Sequence, residues 1–284
     1  MVSRRRFLKG AAALAGTGAI MGLYSWQVEP HWLEFVHKRM PVANLPKPLV
    51  GKTLLQLSDI HVGPKVNQKY LLDAVAKGTS LNPDFVVYTG DFIHFENNDT
   101  FLDLKKVLQK APKGALGTYA ILGNHDYGEQ WLDAEIADTI TDLLTQEGIT
   151  VLRNEQQNIH GLNIIGIDDY WGTNFFPKNV LKQYDASQAN IALCHNPDVC
   201  DLDVWNGYQG WILSGHTHGG QCKLPLLEPP ILPVQNPRYS AGEIDLFDGR
   251  TLYINRALGH LHQLRFNVRP EITVFTLEEL NSFG

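Results

Sequence analysis

Short apolar segments alternate along the chain with stretches in which apolar residues recur at helical spacing. Apolar segments with the length of buried strands occupy residues 53–57, 85–88 and 119–122. Helical spacing follows each of them, after a possible cap at Asn67, over 101–108, and from about 133 to 146, where Gly148 stops the pattern. The alternation predicts a layered α/β fold.

The second half of the chain contains less helical spacing and more apolar segments. We expect strands at 151–153, 164–167, 191–195, 211–214, 252–255 and 272–275. Residues 228–238 include four prolines and are expected to form an irregular loop. In α/β sheets, ligand groups gather beyond the carboxyl ends of the strands, so the residues that follow each strand are the first candidates for function.

The N-terminus has a different pattern from the rest of the chain. Residues 3–9 are Ser-Arg-Arg-Arg-Phe-Leu-Lys, and an apolar, Ala/Gly-rich run continues to about Trp26. A basic flank before a short apolar run is typical of an export signal, and the paired Arg4 and Arg5 resemble the twin-arginine motif. Cleavage near Ala19 and an uncleaved anchor both remain open.

These features divide the chain into three predicted parts. Residues 1–26 are expected to be a twin-arginine signal peptide or signal anchor, 27–50 a proline-rich connector at or near the membrane, and 51–284 the folded domain. The expected location is the periplasm or the outer face of the cytoplasmic membrane. The expected partners are the twin-arginine export machinery and a membrane surface.

Composition excludes some other classes of protein. The net charge is −6, from 24 basic and 30 acidic residues, which gives no support to a nucleic-acid partner. There are three cysteines, and this odd number implies no disulfide framework.

Five polar clusters follow predicted strands. They are Asp59-x-His61, Gly90-Asp91, Gly123-Asn124-His125-Asp126, His195, and Gly215-His216-Thr217-His218-Gly219-Gly220. Carboxylate and imidazole ligands without a thiolate suit Mn, Fe, Zn or Co. Residues at i and i+2 of an extended segment point to one side. Asp59 with His61, and His216 with His218, are therefore each expected to bind a metal ion as a bidentate pair.

These motifs, in this order, resemble those of the calcineurin-like metallophosphoesterase superfamily, from about residue 52 to the C-terminus. The N-terminal signal and strings such as His195-Asn-Pro-Asp198 resemble its branch of twin-arginine-exported bacterial phosphodiesterases. The resemblance implies a four-layer α/β/β/α sandwich and two metal ions of uncertain identity, Mn, Fe or Zn. The implied first-metal ligands are Asp59, His61, Asp91 and His218. Asp91 bridges to a second metal completed by Asn124, His195 and His216.

The resemblance also assigns the reaction. His125 would face the substrate phosphate, and Asp126 would orient His125. Two metals about 4 Å apart lower the pKa of a bridging water, and the resulting hydroxide attacks phosphorus. An imidazolium at His125 would stabilise the phosphate charge and protonate the leaving alkoxide.

Several residues and functions are left open. We expect His94 at the surface, His260 and His262 in loops without function, and Trp131, Trp171, Phe175 and Phe176 in packing, while Arg256 either binds phosphate or forms a salt bridge. The leading function is a phosphodiesterase or phosphomonoesterase acting outside the cytoplasmic membrane on a phosphate ester, a lipid-linked one included. The alternatives are a lipid or nucleotide-sugar pyrophosphatase and a non-catalytic metal-binding scaffold.

Overall fold

Two six-stranded sheets pack face to face in the computed structural model, which describes residues 4–280. The first sheet has the order β1-β12-β2-β3-β4-β5 and the second the order β10-β11-β9-β8-β7-β6. The strands are β1 Glu34–Val42, β2 Thr53–Leu57, β3 Phe85–Thr89, β4 Gly117–Ile121, β5 Thr150–Val151, β6 Glu155–Ile159, β7 Leu162–Ile167, β8 Ala189–Cys194, β9 Gly210–Ser214, β10 Gly242–Asp245, β11 Arg250–Ile254 and β12 Glu271–Glu279. The helices are α1 Arg4–Leu23, α2 Gln68–Thr79, α3 Asp99–Leu108, α4 Ala134–Gln146 and α5 Pro177–Leu181.

The layers follow from which faces of the sheets are apolar. Central strands such as β3 and β8 are buried along their whole length, because a neighbour covers each face. One core fills the space between the sheets, a second lies between the first sheet and α2, α3 and α4, and a third lies under α5. This arrangement confirms the predicted α/β sandwich of four layers, with a thin fourth layer of α5, short 3-10 turns and loops.

Local signals place the helices where the sequence predicts them. The Asn67 side chain accepts a hydrogen bond from the Tyr70 backbone N–H at 3.1 Å and caps α2. Asp133 caps α4 by accepting from the N–H groups of Glu135 and Ile136. Each cap satisfies backbone donors that the helix itself leaves free.

The segment predicted as a connector differs from the expectation. Residues 34–42 form β1, which pairs in parallel with β12 along nine residues at the edge of the first sheet. The sequence does not predict this strand, because only Met40 and Val42 are buried in it and its charged residues and Pro41 interrupt the apolar pattern. A proline is tolerated on an edge strand, where a missing N–H breaks no ladder.

Other differences from the predicted elements are smaller. The short strands β6 and β10 and the helix α5 have no counterpart in the predicted elements, and β12 is longer than the predicted segment 272–275. Residues 1–3 of the predicted signal and 281–284 of the predicted domain lie outside the described residues. Within the described part, α1 is long and apolar enough to cross a membrane, by length and composition only.

Candidate metal centre

Loops from both sheets meet at one edge of the molecule. Strands β2, β3 and β4 are mutually parallel, and so are β8, β9 and β11, so their carboxyl ends point the same way within each sheet. The loops after β2, β3 and β4 carry Asp59, His61, Asp91, Asn124, His125 and Asp126. The loops after β8 and β9 carry His195, His216 and His218. The buried Gln56 amide joins the sheets beneath them by donating to Thr89 Oγ1 and the Ser214 carbonyl, both at 3.0 Å.

The backbone at these loops is not extended. Asp59, His61, Asp91, His216 and His218 all have left-handed φ angles, between 49° and 71°. This conformation is uncommon outside glycine and costs of order 1–3 kcal/mol per residue. The side chains therefore converge through sharp left-handed turns, and the expectation of ligand pairs on an extended segment is wrong.

The first group of converging side chains is Asp59, His61, Asp91 and His218. Their ligand atoms lie within 4.8 Å of one another, and all four residues are buried. Nε2 of His61 is 3.1 Å from Nε2 of His218, and the latter is 3.2 Å from Asp59 Oδ1. These four side chains form a group that could hold a metal ion.

The second group is Asp91, His195 and His216, with Asn124 beside them. Asp91 Oδ2 lies 3.2 Å from His195 Nε2 and also 3.6 Å from His61 Nε2, so one carboxylate oxygen belongs to both groups. His216 Nδ1 lies 3.0 Å from the Asn124 side-chain oxygen. His216 and His218 therefore belong to different groups and do not form a bidentate pair for one metal ion.

Hydrogen bonds orient the imidazoles of the second group. His195 Nδ1 donates to the Thr89 carbonyl at 2.7 Å, and His216 Nε2 is 3.0 Å from the Pro233 carbonyl. Within residues 4–280, His195 Nε2 has no hydrogen-bond partner despite being buried. A backbone carbonyl that holds one ring nitrogen, with the other nitrogen left for the metal, is the arrangement found for metal-binding histidines. These donors fit a metal ion.

The charges of the group also favour a cation. Burial opposes ionisation of the Asp91 carboxyl, but the neighbouring His195 and His125 outweigh it and hold its pKa well below the usual range. Burial likewise opposes ionisation of Asp59, and His218 and His195 bring its pKa to about 2. Two ionised carboxylates buried this closely require positive charge beside them.

Glycines permit the close approach of these loops. A Cβ atom on Gly123 would collide with Asp91 Oδ1, and one on Gly215 would collide with the side chains of Ser58 and Asp59. Both positions require glycine because the neighbouring carboxylates occupy the space that any side chain would need.

Asp126 has different partners from the expected one. Its fully buried carboxylate accepts hydrogen bonds from the N–H of Phe92 at 2.8 Å, of Ile93 at 3.3 Å and of Gly123 at 2.9 Å. None of its hydrogen bonds among residues 4–280 goes to the His125 ring. Asp126 therefore ties the loop after β3 to the loop after β4, and this replaces the expectation that it orients His125.

His125 lies at the rim of the first group. Its ring is 5.0 Å from that of His61 and 5.4 Å from that of His94, and its backbone N–H donates to Asp91 Oδ1 at 2.8 Å. Burial lowers the pKa of His125. His94, expected at the surface, is partly exposed and faces this ring. A cavity of about 880 Å³ opens beside His94.

Two tryptophans border the centre. The rings of Trp131 and Trp171 stack at 4.9 Å, and they contact the rings of His125 and His216 at 6.0 and 4.5 Å. We expected both only in packing, since single aromatic residues in loops carry no signal of a joint position.

The remaining open residues have structural partners. Arg256 forms ion pairs with Glu271 and with Glu34, the latter at 3.0 Å, which decides between its two readings in favour of the salt bridge. His260 is buried and its Nε2 lies 3.1 Å from the Lys65 carbonyl, whereas His262 is exposed.

Comparison with known proteins adds to this geometry. Residues 52–220 match the sequence profile of the calcineurin-like phosphoesterase family. The chain belongs to this family. Families of this kind are metal-dependent hydrolases of phosphoric esters that use a dinuclear metal site, and the two groups that share Asp91 are the corresponding candidates in this phosphoesterase.

Three relatives illustrate the range of the family. The phosphoesterase is 34% identical to phosphodiesterase YaeI of Escherichia coli (strain K12), with 98% of this chain and 100% of the relative aligned. It is 32% identical to the uncharacterized metallophosphoesterase YkuE of Bacillus subtilis (strain 168), over 99% of each. It is 30% identical to UDP-2,3-diacylglucosamine pyrophosphatase LpxG of Chlamydia trachomatis, over 81% of this chain and 85% of the relative.

Proposed function

We propose that this phosphoesterase hydrolyses a phosphodiester at a centre of two metal ions. Asp59, His61, Asp91 and His218 would hold the first ion, and Asp91, Asn124, His195 and His216 the second. The observation that carries the proposal is the single Asp91 oxygen that faces imidazoles of both groups. Imidazole, carboxylate and amide ligands suit Mn, Fe or Zn.

The chain's own residues define how a phosphate ester would bind. Two ions bound here would supply a nucleophile from water at neutral pH and polarise a phosphoryl oxygen. His125 stands at the rim, where its imidazole can donate a proton to the leaving oxygen. Asn124 contributes a neutral ligand, which limits the negative charge that an anionic substrate meets. The stacked tryptophan pair borders one side of the centre.

A second candidate substrate class is a lipid-linked pyrophosphate. The relative LpxG, whose name is that of a diacylglucosamine pyrophosphatase, supports it. Hydrolysis of a phosphodiester and of a pyrophosphate both break a P–O bond, and the leaving group distinguishes them. A substrate panel should therefore contain aryl diesters, aryl monoesters, phospholipids and a lipid pyrophosphate.

The metal centre is tested by Asp91→Asn with Asp103→Asn as a control at a partly exposed site on α3, where Asp103 pairs with Lys106. Because Asp91 would touch both ions, we expect loss of both from the purified protein and a fall in kcat/KM well beyond the 10- to 100-fold typical of an outer-shell change. Metal analysis and aryl diester hydrolysis are the measurements. Full metal content with normal turnover in Asp91→Asn would refute the two-metal assignment.

We further propose export by the twin-arginine route to the outside of the cytoplasmic membrane. Support comes from Arg4 and Arg5 at the start of α1 and from the apolar run behind them. Arg4→Lys with Arg5→Lys should keep folded, active protein inside the cell, because the pair is the recognised signal. Cell fractionation with activity in each fraction tests this, and unimpaired export of the double variant would contradict it.

A further inference from the structure

The surface beside the metal centre carries an exposed apolar loop, defined here as residues 224–231. Leu226 is fully exposed, Ile231 keeps 78% of its surface exposed, and Leu224 and Leu227 are more than half exposed. Glu228 is the one charged residue in the loop sequence, and Lys223 pairs with it at 3.3 Å. Contiguous exposed apolar residues of this kind mark surfaces that contact a membrane or another molecule.

The base of the apolar loop lies next to the end of the N-terminal helix. The backbone N–H of Lys223 donates to the Phe266 carbonyl at 2.9 Å, and the N–H of Arg265 donates to the Ser25 carbonyl at 2.9 Å. The Gln263 amide donates to the Trp26 carbonyl at 3.0 Å. The helix exit, the segment around Arg265 and the start of the loop therefore lie side by side.

The N-terminal helix identifies what this side of the molecule faces. None of the residues of α1 is buried, and the continuous helical stretch Arg4–His31, 28 residues, is long and apolar enough to cross a bilayer by length and composition. Arg4, Arg5 and Lys9 stand at its far end, as expected for a segment that leaves its basic flank on the other side of a membrane. Trp26 is half exposed where the helix leaves that layer.

We propose that the apolar loop inserts into the surface of the lipid bilayer that α1 enters. The side chains of Leu224, Leu226, Leu227 and Ile231 would enter the boundary between headgroups and acyl chains, with Trp26 and Leu264 beside them. Paired with Lys223, Glu228 brings no uncompensated charge to that boundary. The occupant of this surface is therefore phospholipid rather than a second copy of the chain.

The chain just beyond the apolar loop reaches the metal centre. Pro229 packs against Gly220, and the Pro233 carbonyl lies 3.0 Å from His216 Nε2. A docked loop would hold the rim of the centre against the headgroups, where a lipid phosphate ester is at high local concentration. This role of the loop in hydrolysis of a lipid phosphate ester rests on the proposed function, whereas the docking itself requires no activity.

The docking is tested on the full chain in lipid nanodiscs. Cys222→Ser removes the partly exposed thiol, the buried Cys194 and Cys200 stay unlabelled, and Leu226→Cys then carries an environment-sensitive fluorophore. The matched control is Leu102→Cys on α3, which is also exposed. Nitroxide-bearing lipids should quench the label at position 226 strongly and the label at 102 little.

Three results would overturn the docking. Equally weak quenching at both positions means that the loop stays in water. Fluorophore protection that rises with protein concentration, without quenching by nitroxide lipids, assigns the surface to a second copy of the chain. Equal strong quenching at 102 means that the contact is not confined to the loop.

Activity supplies an independent readout. Leu226→Asp with Ile231→Asp should leave kcat/KM for a soluble aryl diester unchanged and lower that for a bilayer-embedded phosphodiester about tenfold, because charge opposes insertion. Leu102→Asp should change neither value. Unchanged hydrolysis of the embedded substrate by the loop variant would overturn the inference. Absence of wild-type activity on every phosphate ester would instead refute the proposed function, and the quenching result would stand.

Discussion

At the scale of single residues, position matters more than residue type. Asp91 and Asp126 are both buried carboxylates in neighbouring loops, yet Asp91 faces three imidazoles and Asp126 faces only backbone N–H groups. Burial and the adjacent Asp91 raise the pKa of the Asp126 carboxyl, and its N–H donors act against this rise. Asp91 is therefore placed to bind a cation, whereas Asp126 is placed to connect two loops.

His125→Ala tests the role of that imidazole as a proton donor. The substitution keeps the backbone N–H that binds Asp91, so metal content should stay nearly normal. An alkoxide needs a proton to leave and a nitrophenolate does not, so kcat/KM should fall about 10² to 10⁴ for alkyl diesters and far less for aryl diesters.

His216→Ala is the comparison, because loss of a metal ligand should impair both ester types alike. The measurement is kcat/KM for matched alkyl and aryl diesters in both variants. Equal losses for the two esters in His125→Ala, with metal retained, would assign His125 to electrostatic binding of phosphate instead.

At the scale of elements, the loops after the strands act as a connected unit. Asp126 joins the loops after β3 and β4, and Gln56 joins β2 to β3 and to β9 of the other sheet. The strands supply rigid ends, and these buried polar side chains hold the metal-binding loops at a constant separation.

Asp126→Ala should loosen this unit without removing a ligand. Unpaired backbone N–H groups at Phe92 and Gly123 would cost about 1–3 kcal/mol of folding stability. Metal affinity should fall about 10- to 100-fold, as for other groups that support ligands from behind. Denaturant unfolding and metal titration measure the two effects, with Asp103→Ala at a partly exposed site on α3 as control. Normal metal affinity combined with the leaving-group dependence of His125→Ala would restore the role of orienting His125.

At the scale of the whole molecule, both sheets contribute side chains to the candidate metal centre. The first sheet contributes Asp59, His61 and Asp91, and the second contributes His195, His216 and His218. Ions bound between them would link both halves of the sandwich, so that metal binding and folding are coupled.

Removal of metal by a chelator should therefore lower the melting temperature. A ligand at 100 times its Kd stabilises the folded state by about 2.7 kcal/mol. For a chain of this size the corresponding shift is roughly 5–10 °C. Thermal unfolding of chelated, reloaded and untreated protein measures it, and Asp91→Asn should respond little to the chelator. An unchanged melting temperature after verified metal loss would show that the sheets pack without help from the ions.

Features that depend on neighbouring residues could be predicted from the chain alone. Strands β2, β3, β4, β8, β9 and β11, the caps Asn67 and Asp133, and the order of the polar clusters are all local patterns. Since the carboxyl ends of parallel strands meet at one edge, the approximate meeting place of the clusters also followed from the chain.

Features that depend on distant partners could not be predicted from the sequence. β1 is a strand because β12, more than 200 residues away, pairs with it. His94 lies against His125, and Trp131 stacks on Trp171, only because separate loops converge. Contacts between distant segments also explain the left-handed turns at the candidate ligand positions, the backbone partners of the Asp126 carboxylate and the exposed side of the apolar loop. No local pattern encodes these contacts, because each requires two segments whose separation is set by the packing of the sheets.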